Sequence, residues 1–493
     1  MADASPSRGG DRMTALDAAF WNLERTGQLL HVGGLYTVEG GLDFARMLDD
    51  LAGRLHVIPR YTQRVVPVPL GLAHPTWEPA PRFDIRDHVL RHTLRAPGDD
   101  EQLKRLASRL FAAPLDRTKP LWELHLIDGY RGERSAIFAK VHHCMIDGVS
   151  GVQLLGVLFD PTPSPTPYPP PPAVAEPPPP ATPARQVWRA LQDGASAGAA
   201  LATSVAELAR RPADLVAAAQ ELGTTAWQLA ELALAPVPET PFNGHVSILR
   251  RIEWATFSLN ETKGIKNRLG GTMNDVVLTT IAAALRRYLE ERGLVPDRVE
   301  LRAMCPVNVR TASEHLRLGN RVSMMVAPLP VGIFDAHERF RQVRAATDQL
   351  KRAGESVRNE RLLAALAWLP VPLQTQLGWL QLVHSPVNTV CTNVPGPPVS
   401  LYTQGKRLDA MVAMVPLAQG VGLAFAILSY ADTITICASF DPALLRDGER
   451  IVEHLQTSFE ELRTLAGVER VERQAPVRPE RQRRPGGSSS RVA

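Results

Sequence analysis

Val141-His142-His143-Cys144-Met145-Ile146-Asp147-Gly148 is the stretch whose residue types and spacing could do chemistry. An imidazole with an ordinary pKa near 6.5 takes up and releases protons around neutral pH, which suits general-base work. Side chains alternate along a strand, so one histidine can face a channel while its neighbour is locked into the scaffold. The same alternation makes it hard for the pair to grip one metal ion, and no HExxH occurs elsewhere, so no metal is expected. Asp147 is too close in sequence to be assumed a relay partner. It can instead turn inward, pair with an arginine and hold the loop that presents His143, with Gly148 supplying the unusual backbone. The bland alternative is an ordinary loop with two structural histidines; for HHxxxDG at a strand end the catalytic reading is the stronger. Nucleophile chemistry has little support. Gly148-Val149-Ser150-Gly151 has its second glycine one residue early for GxSxG, and neither a Walker A loop nor GxGxxG stands out. Cys144, Cys305, Cys391 and Cys437 form no CxxC pair and read as reduced thiols.

Elements able to position such a motif surround it. Residues 121–127 and 135–141 read as two strands joined by a turn at 128–132. Thr14 is placed to N-cap a helix beginning Ala15-Leu16-Asp17, and residues 103–111 are helical. Thirteen prolines fall between 161 and 183, a composition that favours polyproline II and cannot form a core. Residues 185–235 are Ala/Leu-rich and helical. The second half predicts strands at 252–259, 299–305, 321–330, 387–392, 410–416, 423–429 and 433–440. Its helices are expected at 261–269, 274–292, 335–366 and 445–465. At 493 residues the chain is too long for one ordinary core, and both halves mix strands and helices alike. The expected division is an N-terminal lobe over 12–160, a proline-rich linker over 161–184 and a helical connector over 185–240. A C-terminal lobe over 241–467 and a basic disordered tail over 468–493 follow.

Charge argues against nucleic acid as a partner. The net charge is +4, but the tail from Arg470 onward carries seven arginines and two glutamates, so the rest of the chain is close to neutral. The N-terminus has no apolar core of a secretory signal, and no uninterrupted apolar run of membrane-spanning length occurs, so a cytoplasmic protein is expected. Residues 362–405 contain no Asp, Glu, Lys or Arg. Within them, 362–383 carries Trp368 and Trp379 and is a candidate lipid contact, the alternative being a pair of core helices between the lobes.

The histidine motif resembles the HHxxxDG signature of CoA-dependent acyltransferases and condensation domains. Over residues 13–466 the chain is similar to the bacterial wax ester synthase/acyl-CoA:diacylglycerol acyltransferase family. The shared blocks are Met13–Phe20, His31-Val32-Gly33-Gly34-Leu35, Pro120-Leu121-Trp122-Glu123 and Thr272-Met273-Asn274-Asp275-Val276-Val277. Pro306-Val307-Asn308-Val309-Arg310, Gly319-Asn320-Arg321-Val322-Ser323 and Thr392-Asn393-Val394-Pro395-Gly396-Pro397 follow. The resemblance implies an α/β fold of two chloramphenicol-acetyltransferase-like lobes with an active-site tunnel between them. It implies that His143 is the base and His142 structural. Asp147 would pair with an arginine, Arg64 or Arg310, beside Gly148. Asn274 would support the oxyanion or cap its helix, the latter being the better reading for Asp275. The implied reaction moves a fatty acyl group from acyl-CoA to diacylglycerol or a long-chain alcohol, making triacylglycerol or wax ester. No cofactor is implied beyond acyl-CoA as substrate. The protein would sit peripherally on a membrane or lipid-droplet surface. The alternatives are a different acceptor, a carrier-protein donor, or a non-catalytic lipid-droplet scaffold.

Overall fold

A computed structural model of the chain describes residues 11–24, 28–145, 150–168, 182–192, 239–308, 322–352 and 387–471, with four isolated positions between 195 and 223. The first half contains β1 (Asp11–Arg12), α1 (Ala15–Leu23), β2 (His31–Val38), α2 (Phe44–Arg54), β3 (Gln63–Val66) and β4 (Thr76–Pro79). It continues with β5 (Val89–Thr93), α3 (Asp100–Ala112), β6 (Trp122–Tyr130), β7 (Arg134–His142) and α4 (Ser150–Leu158). The second half contains β8 (Arg251–Ser258), α5 (Leu259–Leu269), α6 (Met273–Glu291), β9 (Leu301–Asn308), β10 (Val322–Leu329) and α7 (Ala336–Arg352). It ends with β11 (Thr389–Val394), β12 (Tyr402–Thr403), β13 (Lys406–Met414), β14 (Leu423–Tyr430), β15 (Thr433–Phe440) and α8 (Glu449–Leu465).

Each lobe is built on one six-stranded mixed sheet, ordered β12-β13-β2-β7-β6-β5 in the first and β10-β9-β11-β14-β15-β8 in the second. The central strands are buried on both faces, as their near-continuous apolar runs require. The expected strands and helices are present where they fall on described residues. The helix expected over 335–366 is described only as Ala336–Arg352, and most of the proline tract and of the helical connector, like the lipid-contact candidate 362–383, lies outside the described residues.

Two expectations need correction. The division by chain position is crossed by one excursion: β13 leaves the second half and pairs antiparallel with β2, placing Met411 opposite Tyr36 in the first lobe's sheet. Such an exchange follows from long-range strand pairing, which no local pattern reveals. The turn after β6 is also shorter than the expected 128–132, starting later and falling on residues 131–133. The strand runs on to Tyr130 through an irregularity between Ile127 and Tyr130, with Gly129 at φ 76° absorbing the extra residue.

The lobes meet across α3, which presents Leu103, Ala107 and Phe111 to a shared core with Phe138 of the first sheet and Ile252, Ala426 and Cys437 of the second. The Ile252 amide donates to Ser108 Oγ (3.0 Å), and Lys104 pairs with Glu253 (2.6 Å).

Candidate active site

β7 delivers the histidines between two clamping neighbours. His142 lies opposite His31 of β2. The His142 amide donates to the Leu121 carbonyl (2.9 Å), and the His143 amide, beginning a tight turn over His143–Met145, donates to the Leu30 carbonyl (2.8 Å). The backbone of the pair is therefore fixed from both sides.

The two imidazoles face different surroundings. His142 is fully buried. Its Nδ1 accepts from the Cys144 amide (3.1 Å), so the ring proton sits on Nε2, which faces Glu24 Oε2 at 2.5 Å. Burial pushes the Glu24 carboxyl up, but His142, Arg117 and His31 outweigh that and hold it below the usual carboxylate range. His143 keeps part of its surface open, while its Nδ1 is buried with no hydrogen-bond partner. Burial pushes its pKa down to about 4; its own backbone opposes this and His142 adds to it. At neutral pH the ring is uncharged and can accept a proton.

α1 is the roof of this arrangement. Thr14 caps it, its Oγ1 accepting from the Asp17 amide (3.2 Å) as expected. Phe20 stacks on His143 with ring centroids 4.0 Å apart, and Trp21 meets His142 edge-on at 6.2 Å. Phe20 and Glu24, four residues apart, thus hold one histidine each.

Beneath the pair lies a polar layer. His31 Nε2 touches the Phe111 carbonyl at 2.5 Å, and burial, with the Lys140 ammonium, drives its pKa down to about 3. Lys140, with no exposed surface, donates to the carbonyls of Leu110 (3.1 Å) and Ala113 (2.9 Å) at the C-terminal end of α3 and pairs with Glu123 (2.8 Å). A cation there is favoured by the helix dipole. Trp122 packs in the core, its indole N–H on the Tyr61 carbonyl (2.8 Å).

Asn274 sits at the start of α6 and is not its cap. Thr272 caps the helix and Asp275 closes the box, accepting from the Thr272 amide (2.7 Å). The capping alternative for Asn274 is thereby removed, and the capping reading of Asp275 holds. Asn274 Oδ1 instead accepts from Asn393 Nδ2 (3.5 Å), joining two blocks 119 residues apart in sequence. Asn274 makes no hydrogen bond to the histidine pair. Asp147, Gly148 and Arg310 lie outside the described residues, and Arg64 Nε is buried with no partner among the described ones. Sequence reasoning gave no role to Glu24, Phe20 or Lys140. The available signal was a glutamate one helical turn after Phe20, at the end of a largely apolar helix.

Residues 13–277, more than half of the chain, match the wax ester synthase/diacylglycerol acyltransferase catalytic domain. The chain belongs to that family. Residues 318–463 match the family's C-terminal domain, and this acyltransferase therefore carries both of the family's parts. It is 31% identical over 468 residues to the Mycobacterium tuberculosis protein named probable diacyglycerol O-acyltransferase tgs1, covering 94% of this chain and 98% of that one. To the tgs2 protein of the same species it is 30% identical over 470 residues, covering 93% and 100%. Among solved structures, the wax ester synthase/diacylglycerol acyltransferase from Marinobacter aquaeolei VT8 aligns with a TM-score of 0.66 at 24% identity, covering 93% of this chain and all of that one. The first condensation domain of the calcium-dependent antibiotic synthetase aligns with a TM-score of 0.56 at 17% identity, covering 93% and 96%. The two-lobed fold of this acyltransferase is thus shared with both groups.

Proposed function

We propose that the protein moves a fatty acyl group from acyl-CoA to the hydroxyl of diacylglycerol, making triacylglycerol, and accepts long-chain alcohols as second acceptors. The observation that carries this reading is the contrast within the histidine pair: His142 pinned by Glu24 and the Cys144 amide, His143 uncharged and partly open. In the proposed reaction His143 takes the proton of the acceptor hydroxyl as its oxygen attacks the thioester carbonyl. The tetrahedral oxyanion collapses, the C–S bond breaks, and the imidazolium returns the proton to the leaving CoA thiolate. No acyl-enzyme and no cofactor enter the scheme. Asp147 and Gly148 hold the loop that carries His143. Asn274, held by Asn393 rather than spent on a cap, lends its amide to the oxyanion, a class of contact with large effects on rate. Both substrates reach His143 along a tunnel between the lobes, and the protein works from a membrane or lipid-droplet surface. No helix among the described residues is long and apolar enough to cross a membrane.

The test uses purified protein with isotopically labelled palmitoyl-CoA and either dioleoylglycerol or hexadecanol, with products read by mass spectrometry. Labelled triacylglycerol from wild type, absent with His143→Ala, is the expected result. Release of free CoA without a labelled ester from either acceptor overturns the reading.

A further inference from the structure

A second feature with its own chemistry lies on the outer edge of the first lobe. β5 is the last strand of its sheet, and α3 runs beside it. The groove between them has a volume of about 580 Å³. One wall is the end of β5 with the residues that follow, His92 to Arg95. The other is a stripe of α3, Gln102, Arg105, Leu106 and Arg109, whose spacing places them on one helical face. No carboxylate lines the groove, and three arginines do.

Two of these arginines, Arg95 and Arg109, have no counter-charge among the described residues, and the third shares one. Arg105 reaches Glu101 (3.3 Å), a carboxylate it shares with Arg251 (2.7 Å). Arg95 and Arg109 make no side-chain hydrogen bond or ion pair among the described residues. Like charges one helical turn apart repel, so a cleft with Arg105 and Arg109 on one wall and Arg95 on the other favours an anion. The inner wall is polar as well. Of the lining residues, Gln102 has a buried Oε1 with no donor, and His92 Nε2 meets His125 Nδ1 (3.0 Å) behind the groove, where His125 in turn meets Glu123 (3.3 Å). Leu94 and Leu106 supply apolar surface for the body of a ligand. The groove is open to solvent, with all three arginines exposed, and is larger than an inorganic anion fills.

We propose that the groove between β5 and α3 binds a phosphorylated ligand of nucleotide size, with Arg95, Arg105 and Arg109 on the phosphate. The guanidinium fork matches phosphate oxygens in pairs, which three lysines would not. The site is separate from His143. His92 is level with Ile127 of β6, while Trp122, five residues earlier, is level with Val141 beside the histidine pair. That spacing is about 17 Å along the strand.

The phosphate can belong to a soluble nucleotide or to a lipid headgroup, and the experiment separates them. Full-length protein is titrated at low salt with ADP and with inorganic phosphate by calorimetry, and mixed with phosphatidylglycerol vesicles for flotation. The expected result is ADP binding that weakens at least about tenfold in Arg95→Ala/Arg109→Ala, with inorganic phosphate competing weakly. Neither guanidinium holds a structural bond, so the melting temperature of the double variant should not change. His143→Ala should bind like wild type, which keeps this test independent of the acyl-transfer reading. Flotation without ADP binding, lost in the same double variant, assigns the phosphate to a lipid headgroup. Failure of wild type to bind any of the three probes, or equal binding by the double variant, overturns the proposal.

Discussion

β7 and β14 occupy comparable places in their sheets and are buried along almost their whole length, yet they are buried in different materials. β14 is Leu423-Ala424-Phe425-Ala426-Ile427-Leu428 inside an apolar core. β7 carries Lys140 and His142 with no exposed surface, and His31, Glu24 and Glu123 close around them. Burying charge is costly unless every group finds a partner, so a fold places such a layer where something other than stability requires it. The second lobe is scaffold at this level; the first lobe gives up apolar packing to hold an imidazole.

The sharpest break between the two comes at His143. Its replacement by alanine should lower turnover by about 10²–10⁴-fold, the usual contribution of a general base, with the melting temperature held. Near-normal turnover by the folded variant ends the mechanism.

Next in size is a comparison of how each core responds to a hole. Lys140→Met leaves Glu123 with the His125 imidazole alone and removes the donor to the Leu110 and Ala113 carbonyls, at a cost toward the lower end of about 3–5 kcal/mol because that carboxylate keeps 23% side-chain exposure. Adding Glu123→Gln should recover the part of the loss that comes from the uncompensated charge, while the Leu110 and Ala113 carbonyls stay without their donor. Phe425→Ala in the other sheet should cost about 3–5 kcal/mol with no comparable partner to restore it. Urea unfolding of the four proteins reads this directly, and a double variant no more stable than Lys140→Met refutes the ion-pair account.

The lobes should also part in acid. His31 has its pKa driven to about 3 and His143 to about 4, below the 6.5 of the unfolded chain. Between those values the unfolded state binds protons that the native state refuses. Their contribution to stability is therefore complete above pH 6.5 and lost as the pH falls toward 4 and 3. Amide exchange should show β7 losing protection before β14 between pH 6.5 and 4.5. The acid limb of kcat/KM should lie well below 6.5, because the proposed reaction needs His143 unprotonated in the free enzyme. A limb at 6.5 would mean that His143 is solvated like a free histidine.

Much of this was legible in advance because it is local. HHxxxDG sits at the end of a strand whose pattern is plain, Thr14 precedes an apolar helical run, and each main strand of the second half is bounded by turn residues. What was hidden is long-range. The pairing of β13 with β2 joins Met411 to Tyr36, and neither segment signals the other. Glu24 meets His142 only because α1 folds back over β7. Lys140 reads as an exposed position in a strand until the end of α3 is found to need a cation. Asn274 was undecided between cap and active site because both readings use the same amide, and Thr272 two residues earlier decides for the helix.

That last point gives the smallest and most selective test, confined to two neighbouring residues of α6. Asp275 is fully buried, closes the capping box and accepts a second bond from Thr347 Oγ1 (2.7 Å). Asp275→Ala should cost about 1–2 kcal/mol of stability, as lost caps do. Asn274 holds one long contact, at 3.5 Å, through its carbonyl, and its Nδ2–H₂ is uncommitted among the described residues. Asn274→Ala should therefore shift stability by less than about 0.5 kcal/mol. Its effect should fall on kcat, by about 10²-fold if the amide meets the oxyanion. Asn274→Asp keeps the acceptor toward Asn393 but loses the donor, and should be as slow as the alanine variant. If Asn274→Ala turns over normally while Asp275→Ala unfolds early, this end of α6 is capping alone and the oxyanion must be met by other donors.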